Sequence, residues 1–170
     1  GKVAEERFST TMIDKDGNEC RMITLKCFHI IKKIIPKSTP FETLITHAHK
    51  ENGCKHNWDG RECLTCGANR LLPFQVIGAR YLEANLAINK GCGIFDDMGL
   101  GKTVQMEAYL SFHPEAFPVL FVVKSGLTYQ IYKENIKWLG PKAIAQIIRT
   151  GRDPILPGFN CYIISFDLLR

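Results

Sequence analysis

The segment "GCGIFDDMGLGKTVQ", Gly91 to Gln105, carries a pattern typical of nucleotide-binding proteins. A phosphate loop lies between a strand and the N-terminus of a helix, where backbone N–H groups and the helix dipole attract phosphate. The residues "CGIF" are a candidate for a short buried strand, and "KTVQMEAYLSF" predicts the helix that follows. This order of features favours a phosphate loop over a chance glycine-rich turn.

The residue types within the loop suit phosphate binding. Gly99 and Gly101 allow the backbone to approach a ligand closely. Lys102 supplies a cation for the terminal phosphates, and the Thr103 hydroxyl is the expected Mg²⁺ ligand. One position departs from the common pattern G-x-x-x-x-G-K-[ST], because Asp96 stands where the first glycine belongs. The presence of this aspartate therefore needs an explanation.

The sequence after Leu71 alternates between helical and strand patterns. The segment "LLPFQVIGARYLEANLAIN" predicts a helix with Pro73 in its first turn, and "TYQIYKENIKWL" predicts another. The apolar face expected for the first helix has spacings of three and four and consists of Phe74, Ile77, Tyr81, Ala84 and Ile88. The segments "PVLFVV", "AIAQIIRT" and "CYIISF" read as strands, and the first is apolar on both faces. Alternating strands and helices predict an α/β fold with a parallel sheet.

The segment "FDDMGLGKTVQ" resembles the nucleotide loop of the Swi/Snf-type helicase-like ATPases, which have aspartate where Asp96 stands. Three other segments resemble further motifs of that family in the same order: "LLPFQVIGARYL", "PVLFVVKSGLTYQIYKENIKWL" and "YIISFDLLR". The resemblance covers about 100 residues, from Leu71 to Arg170. It implies the first part of a RecA-like, P-loop ATPase lobe.

The resemblance also implies which residues bind the nucleotide. Lys102 and Thr103 are expected to be catalytic, with ATP and Mg²⁺ as cofactors, and Gln75 is expected to contact adenine. The full set of implied nucleotide-binding residues is Gln75, Asp97, Met98, Gly99, Leu100, Gly101, Lys102, Thr103 and Val104. Taken alone, Gln75 is better interpreted as a surface residue of an amphipathic helix.

The loop after "PVLFVV" resembles one that meets the backbone of double-stranded DNA in this family, which makes Lys124 and Ser125 candidate DNA contacts. The family usually has proline at Lys124, tryptophan near Ile131 and tyrosine at Phe166, so the match is looser here. Lys124 also reads as one solvated charge, and Ser125 as a cap for the next helix. A further expectation is that three residues near the end belong to the core, namely Phe166, Leu168 and Leu169.

The segment "CKHNWDGRECLTCG", residues 54–67, has the form C-x-H-x6-C-x2-C. Its thiolates and imidazole suit tetrahedral Zn²⁺, and the expected ligands are Cys54, His56, Cys63 and Cys66. His47 or His49 is a substitute for one ligand, and a loop with free thiols is the alternative. A closed site with four protein ligands braces a polar loop and leaves no open position for catalysis.

The surroundings of this knuckle, residues 54–67, suggest two further roles. Asn57 and Trp58 are candidates for packing the knuckle against the ATPase lobe. Lys55 and Arg61 permit contact with DNA or a partner, although such charges are more often simply solvated.

The first 50 residues are expected to form a β-rich region of unknown role. The segment "RFSTTMIDKDGNECRMITLKCFHII" predicts two strands around the turn "DKDGN". A calcium loop is disfavoured, because Leu25 and Glu19 stand where such a loop needs glutamate and glycine. We therefore predict three regions: residues 1–50, a zinc knuckle at 51–70, and the first part of an ATP-binding lobe at 71–170.

Composition and charge set broader limits. The 170 residues are 45% hydrophobic and 23% charged, as in an ordinary globular protein. A net charge of +5 permits binding to a nucleic-acid backbone without requiring it. The seven cysteines and the lack of an export signal favour a reducing interior. No apolar run is long enough for a membrane span. We expect an intracellular, cytoplasmic protein with a lean toward a bacterial or viral source, or a nuclear protein if the source is eukaryotic.

Hydrolysis in the resembled family also needs a second acidic motif and a second RecA-like lobe. No Asp-Glu-x-His sequence occurs among the 170 residues. The sequence thus reads as the N-terminal part of a DNA-dependent ATPase that translocates on double-stranded DNA, and these residues alone are expected to hydrolyse little ATP. Two alternatives stay open: a strand-separating superfamily-two helicase of restriction or repair, and a zinc-bearing nucleic-acid or protein binding module with a vestigial nucleotide loop.

Overall fold

A computed structural model describes residues 9–13, 19–23, 39–47, 53–89 and 91–169, and the chain divides into two compact units between Ser38 and Thr39. In the first unit, strands β1 (Ser9–Ile13) and β2 (Glu19–Ile23) pair antiparallel, with Ile13 opposite Glu19. The alternating pattern predicts this pairing. The turn "DKDGN", residues 14–18, and His49 lie outside the described residues, and the three-region division stays a prediction.

The second unit contains the remaining elements. A short 3₁₀ turn at Phe41–Thr43 comes first. The elements that follow are, in chain order, β3 (Trp58–Asp59), β4 (Glu62–Cys63), α1 (Pro73–Asn89), α2 (Lys102–Phe112), β5 (Val119–Val123), α3 (Thr128–Leu139), β6 (Ala145–Ile148) and β7 (Cys161–Ser165). A 3₁₀ turn at Phe166–Leu169 ends the described part. The predicted helices and the three predicted strands after residue 117 are confirmed.

The strands β5, β7 and β6 form a parallel sheet in that spatial order. Alternate side chains point to opposite faces of a strand, so one face of the sheet can pack on the helices. On that face, Phe121 and Ile163 are buried against Leu110 of α2 and Ile131 of α3. The predicted parallel α/β arrangement is confirmed for these three strands.

A second apolar cluster joins α1 to α2 and to the segment before the knuckle. Its largest members are Phe41 and Trp138, both fully buried. The buried residues of α1 are Gln75, Val76, Ala79, Arg80 and Leu82, whereas Phe74, Ile77, Tyr81 and Ala84 are only half-buried. The helix predicted from these spacings is confirmed, but other residues make up its buried side. Apolar residues occur around most of this helix, so their spacing alone does not identify the side that packs on α2.

Two local expectations are wrong. The predicted strand "CGIF", residues 92–95, is irregular, and Phe95 is 85% exposed. No described strand pairs with this segment, and a strand requires such pairing. Phe166 and Leu169 are 54% and 58% exposed instead of buried, because the 3₁₀ turn after β7 carries them away from the apolar cluster.

Candidate nucleotide and metal sites

The loop before α2 has the backbone shape of an anion site. Gly99 and Gly101 have φ values of 85° and 77°, in the left-handed region that glycine adopts most readily. Helix α2 begins immediately after them at Lys102. The first N–H groups of a helix have no acceptor within the helix and favour a negative charge nearby. The glycines thus deliver the chain directly into a helix N-terminus that is suited to phosphate.

The side chain of Lys102 turns back over this loop. Its Nζ donates to the carbonyl oxygens of Asp96 at 2.7 Å and Asp97 at 3.0 Å. Among the described residues, no carboxylate is a partner of Lys102, and its ammonium group is held there by neutral dipoles. Such a cation exchanges carbonyl oxygens for phosphate oxygens with a gain in charge pairing.

Gln75 of α1 is bound to the same loop. Its Nε2 donates to the Leu100 carbonyl oxygen at 3.1 Å, and its Oε1 accepts from the Leu72 N–H at 3.1 Å. The side chain is 2% exposed, so the reading of Gln75 as a surface residue is wrong. A Cβ at Gly101 would lie 2.5 Å from the Gln75 Nε2, so this contact requires glycine there.

The remaining predicted nucleotide residues differ in exposure. Asp97, Met98 and Leu100 lie on the exposed side of the loop, and Met98 is 95% exposed. Thr103 is half-buried in the first turn of α2, and Val104 is buried in the cluster with α1. The structure thus brings the glycines, Lys102 and Thr103 together, while Met98 projects away from the core.

The two candidate DNA contacts directly follow β5. Lys124 and Ser125 are both exposed. The Ser125 carbonyl oxygen accepts from the Thr128 hydroxyl at 3.0 Å, and no side-chain cap is present at the start of α3. The alternative role of Ser125 as a helix cap is therefore wrong.

The four predicted zinc ligands lie together. The ligand atoms of Cys54, His56, Cys63 and Cys66 are all within 4.8 Å of one another. His47 lies elsewhere, with its ring against the backbone of Gly140. Three thiol groups and one imidazole are a donor set typical of structural zinc, with Zn–S bonds of about 2.3 Å. The donor set and its clustering fit a four-coordinate zinc ion.

The backbone of the knuckle shapes this cluster. Strands β3 and β4 form a two-residue ladder around Gly60, which has a φ of 54°. After β4, the Gly67 N–H donates to the Cys63 carbonyl oxygen at 2.8 Å, with Gly67 at a φ of 70°. This tight turn places Cys66 next to His56, with 3.4 Å between the Cys66 Sγ and the His56 Nδ1.

The thiols of the cluster differ in acidity. Desolvation, followed by interactions with Cys66 and Cys63, raises the pKa of Cys54 to about 11. Desolvation alone would also raise the pKa of Cys63. Hydrogen bonds from His56 and from the backbone of Cys66 and Thr65 instead lower it to about 5. Cys63 is thus the thiol most readily present as thiolate, the form that binds metal.

Among the described residues, one contact from the knuckle and one from Asn69, just after it, attach this segment to α3. The Arg61 guanidinium lies over the ring of Trp138, 5.4 Å from its centroid, and the Lys137 Nζ donates to the Asn69 Oδ1 at 3.1 Å. Asn57 is exposed, and Trp58 stacks on His56. The contacts to α3 therefore come from Arg61 and Asn69 and not from the pair predicted from the sequence.

Sequence reasoning missed a second glutamine at the loop. Gln105 of α2 is fully buried, and its Nε2 donates to the Asp96 Oδ2 at 2.6 Å. The available signal was a polar residue on the apolar face of a predicted helix, three positions before Ala108. In a helical pattern of apolar residues, such a residue only interrupts the pattern, and the pattern does not reveal its hydrogen-bond partner.

No protein-family model matches the chain, but several curated proteins do. It is 35% identical over 103 residues to the DNA annealing helicase and endonuclease ZRANB3 of Mus musculus, covering 59% of this chain and 9% of that protein. It is 34% identical over 102 residues to the SWI/SNF-related matrix-associated actin-dependent regulator of chromatin subfamily A-like protein 1 of Bos taurus, covering 58% and 10%. Over its matched part, the chain is similar to proteins named as a DNA annealing helicase and as a SWI/SNF-related regulator of chromatin.

A shorter match is to another protein that is named for a role on chromatin. The chromatin remodeling factor mit1 of Schizosaccharomyces pombe is 34% identical over 71 residues, which are 40% of this chain and 5% of that protein. The matched segment thus spans at most about a tenth of each relative. These relatives are animal and yeast proteins, which gives no support to a bacterial or viral source. Among the described residues, no helix is both long and apolar enough to cross a membrane.

Proposed function

We propose that this chain binds ATP with Mg²⁺ at the loop Asp96–Thr103, as part of a Swi/Snf-type DNA-dependent ATPase with a RecA-like lobe. The observation that carries the proposal is the placement of Lys102 at the start of α2, behind two glycines of positive φ and bonded to two backbone carbonyl oxygens. Lys102 would neutralise phosphate charge, and Thr103 would hold Mg²⁺. The contact between Gln75 and adenine stays a prediction. Both amide atoms of Gln75 bond to the backbone, so at least one of them would have to exchange its partner to reach adenine.

Double-stranded DNA is the proposed substrate. The relatives' names describe a DNA annealing helicase and chromatin-associated factors, which supports a DNA motor. Lys124 and Ser125, exposed at the carboxyl end of β5, are the proposed contacts with the DNA backbone. A translocase stays the proposed activity, a strand-separating helicase stays the alternative, and a second RecA-like lobe is the proposed partner.

Nucleotide titration of purified protein tests the nucleotide site. Lys102→Ala is expected to weaken ADP and ATP binding by roughly tenfold or more, because a charge-assisted contact to phosphate is lost. Lys133→Ala, on the exposed side of α3, is the matched control and should bind like the wild type. A wild-type chain with no nucleotide affinity would refute the proposal.

The 170 residues are expected to hydrolyse little ATP by themselves, since they contain no Asp-Glu-x-His motif to position Mg²⁺ and water. Turnover measured with and without DNA tests this expectation. DNA-stimulated hydrolysis that disappears in Lys102→Ala would contradict it.

We also propose that Cys54, His56, Cys63 and Cys66 hold a structural zinc ion, because their ligand atoms are already clustered. A four-ligand site closes the knuckle, and the contact of Arg61 with Trp138 then attaches it to α3. The alternative function, a zinc-bearing binding module with a vestigial loop, shares this site. Nucleotide affinity distinguishes the two, since only the ATPase requires it.

A further inference from the structure

The half-buried Asp96 and the buried Gln105 form a hydrogen bond at the start of the phosphate loop. The Gln105 Nε2 donates to the Asp96 Oδ2 at 2.6 Å, a short distance typical of a charge-assisted bond. A carboxylate only accepts, so the amide nitrogen must face Asp96. The bond joins the loop to α2 nine residues later, across the glycines that surround the expected phosphate position.

The packing around Gln105 carries costs that stability alone does not explain. Its Oε1 is buried without a hydrogen-bond partner, which destabilises a folded protein. It also lies where a Cβ at position 78 would stand, 1.8 Å away, so α1 needs glycine there. Glycine in the interior of a helix is itself unfavourable. An apolar residue at position 105 would avoid the unsatisfied oxygen but would remove the hydrogen bond to the Asp96 carboxylate.

The same bond determines where Lys102 is held. The Lys102 Nζ donates to the carbonyl oxygens of Asp96 and Asp97, so its position depends on the backbone that Gln105 fixes. Gln75 fixes the other side of the loop through the Leu100 carbonyl oxygen. The loop is thus held at both ends by a glutamine, one from α1 and one from α2.

We propose that Gln105 is a positioning residue for nucleotide binding and that Asp96, in place of the usual first glycine, is its anchor in the loop. The inference rests on the proposed nucleotide site and adds a requirement to it. A loop that begins with glycine has no side chain for such a bond. Here the aspartate side chain fixes the backbone on which Lys102 rests, so the loop is preorganised before phosphate arrives.

Adding a second carboxylate to the pair, and then exchanging the carboxylate and the amide between the two positions, tests the proposal. Gln105→Glu places two carboxylates together, which raises the pKa of one of them, so the pair carries its full negative charge only as pH rises. Relative to wild type, the affinity of Gln105→Glu for ADP should fall by roughly tenfold near pH 8 and should recover toward about pH 5.5. The double variant Asp96→Asn with Gln105→Glu restores a donor opposite a carboxylate, so its affinity should return and lose this pH dependence. Gln130→Glu, on the exposed side of α3, controls for added charge.

The outcomes separate this inference from the proposed function. If the wild type binds ADP and Lys102→Ala does not, but Gln105→Glu binds like the wild type at all pH values, the positioning role is refuted and the nucleotide site stands. A double variant that stays as weak as Gln105→Glu also refutes it, because Gln105 would then act through packing alone. If Gln105→Glu does not fold, Asp96→Ala removes the same bond at a half-buried position of the loop. Wild-type ADP affinity in that variant then overturns the proposal. A wild type without ADP affinity overturns both.

Discussion

Replacing Glu107 by glutamine is expected to remove a strong pH dependence from the stability of this chain. Glu107 of α2 is fully buried, and burial followed by repulsion from Glu134 raises the pKa of its carboxyl from 4.5 to about 8. The side-chain amide of Asn135 lies beside the carboxyl oxygens of Glu107. Cys161 of β7 also packs here, and burial followed by the Glu107 charge raises its pKa to about 12. Glu107 is therefore the group of this cluster that titrates near neutral pH.

The direction and size of the effect follow from proton linkage. Below pH 4.5, the carboxyl is protonated in both the folded and the unfolded chain, so its contribution to stability is fully present. Between pH 4.5 and about 8, only the unfolded chain releases the proton, and stability falls as pH rises. At about 1.36 kcal/mol per pKa unit, this loss is on the order of 5 kcal/mol. Water entering near Glu107 would reduce that upper limit.

Urea unfolding at several pH values measures this loss, and the fluorescence of the buried Trp138 reports the transition. Glutamine has the shape of a protonated carboxyl and cannot ionise, so Glu107→Gln should lie within about 1 kcal/mol of the wild type near pH 5. Near pH 9 it should be more stable by a few kcal/mol.

Asp167→Asn, which changes an exposed carboxylate, is the control and should differ from the wild type by a constant amount between pH 6 and 9. A stability difference between wild type and Glu107→Gln that does not change with pH would refute the reasoning. So would a variant that becomes less stable than the wild type as pH rises.

Two other predictions concern metal removal and helix packing. A zinc chelator, or Cys63→Ser, should abolish equimolar zinc binding and lower the unfolding temperature, because the polar knuckle depends on its metal. Cys92→Ser changes a cysteine outside the cluster and is the control. An unfolding temperature that the chelator does not change would contradict the zinc site. Gly78→Ala should destabilise the chain by about 1–3 kcal/mol in urea unfolding, despite the better helix propensity of alanine, because its Cβ would overlap Gln105. Gly126→Ala, with no atom within 4 Å of its Cβ, should have little effect, and equal losses in both variants would contradict the tight packing of α1 on α2.

The sequence predicted the features whose signals are local. Helix α2 begins at the lysine of the glycine motif, and β5, β6 and β7 lie in the segments expected from their apolar runs. The four metal-type ligands were also predictable, because they fall within 13 residues in a spacing that suits a knuckle. The segment "CGIF" failed because strand formation depends on a neighbour that composition cannot supply.

The sequence by itself determined the candidate phosphate loop, the order of the helices and of β5, β6 and β7, and the set of candidate zinc ligands, since each depends on residues close together in the chain. Only the tertiary structure decided how the loop is held, through Gln75 from α1 and Gln105 from α2. It also decided that Arg61 attaches the knuckle to α3 and that Glu107 is buried. These features join groups from separate elements, and their energies depend on burial and contact geometry, which helical or strand periodicity does not encode.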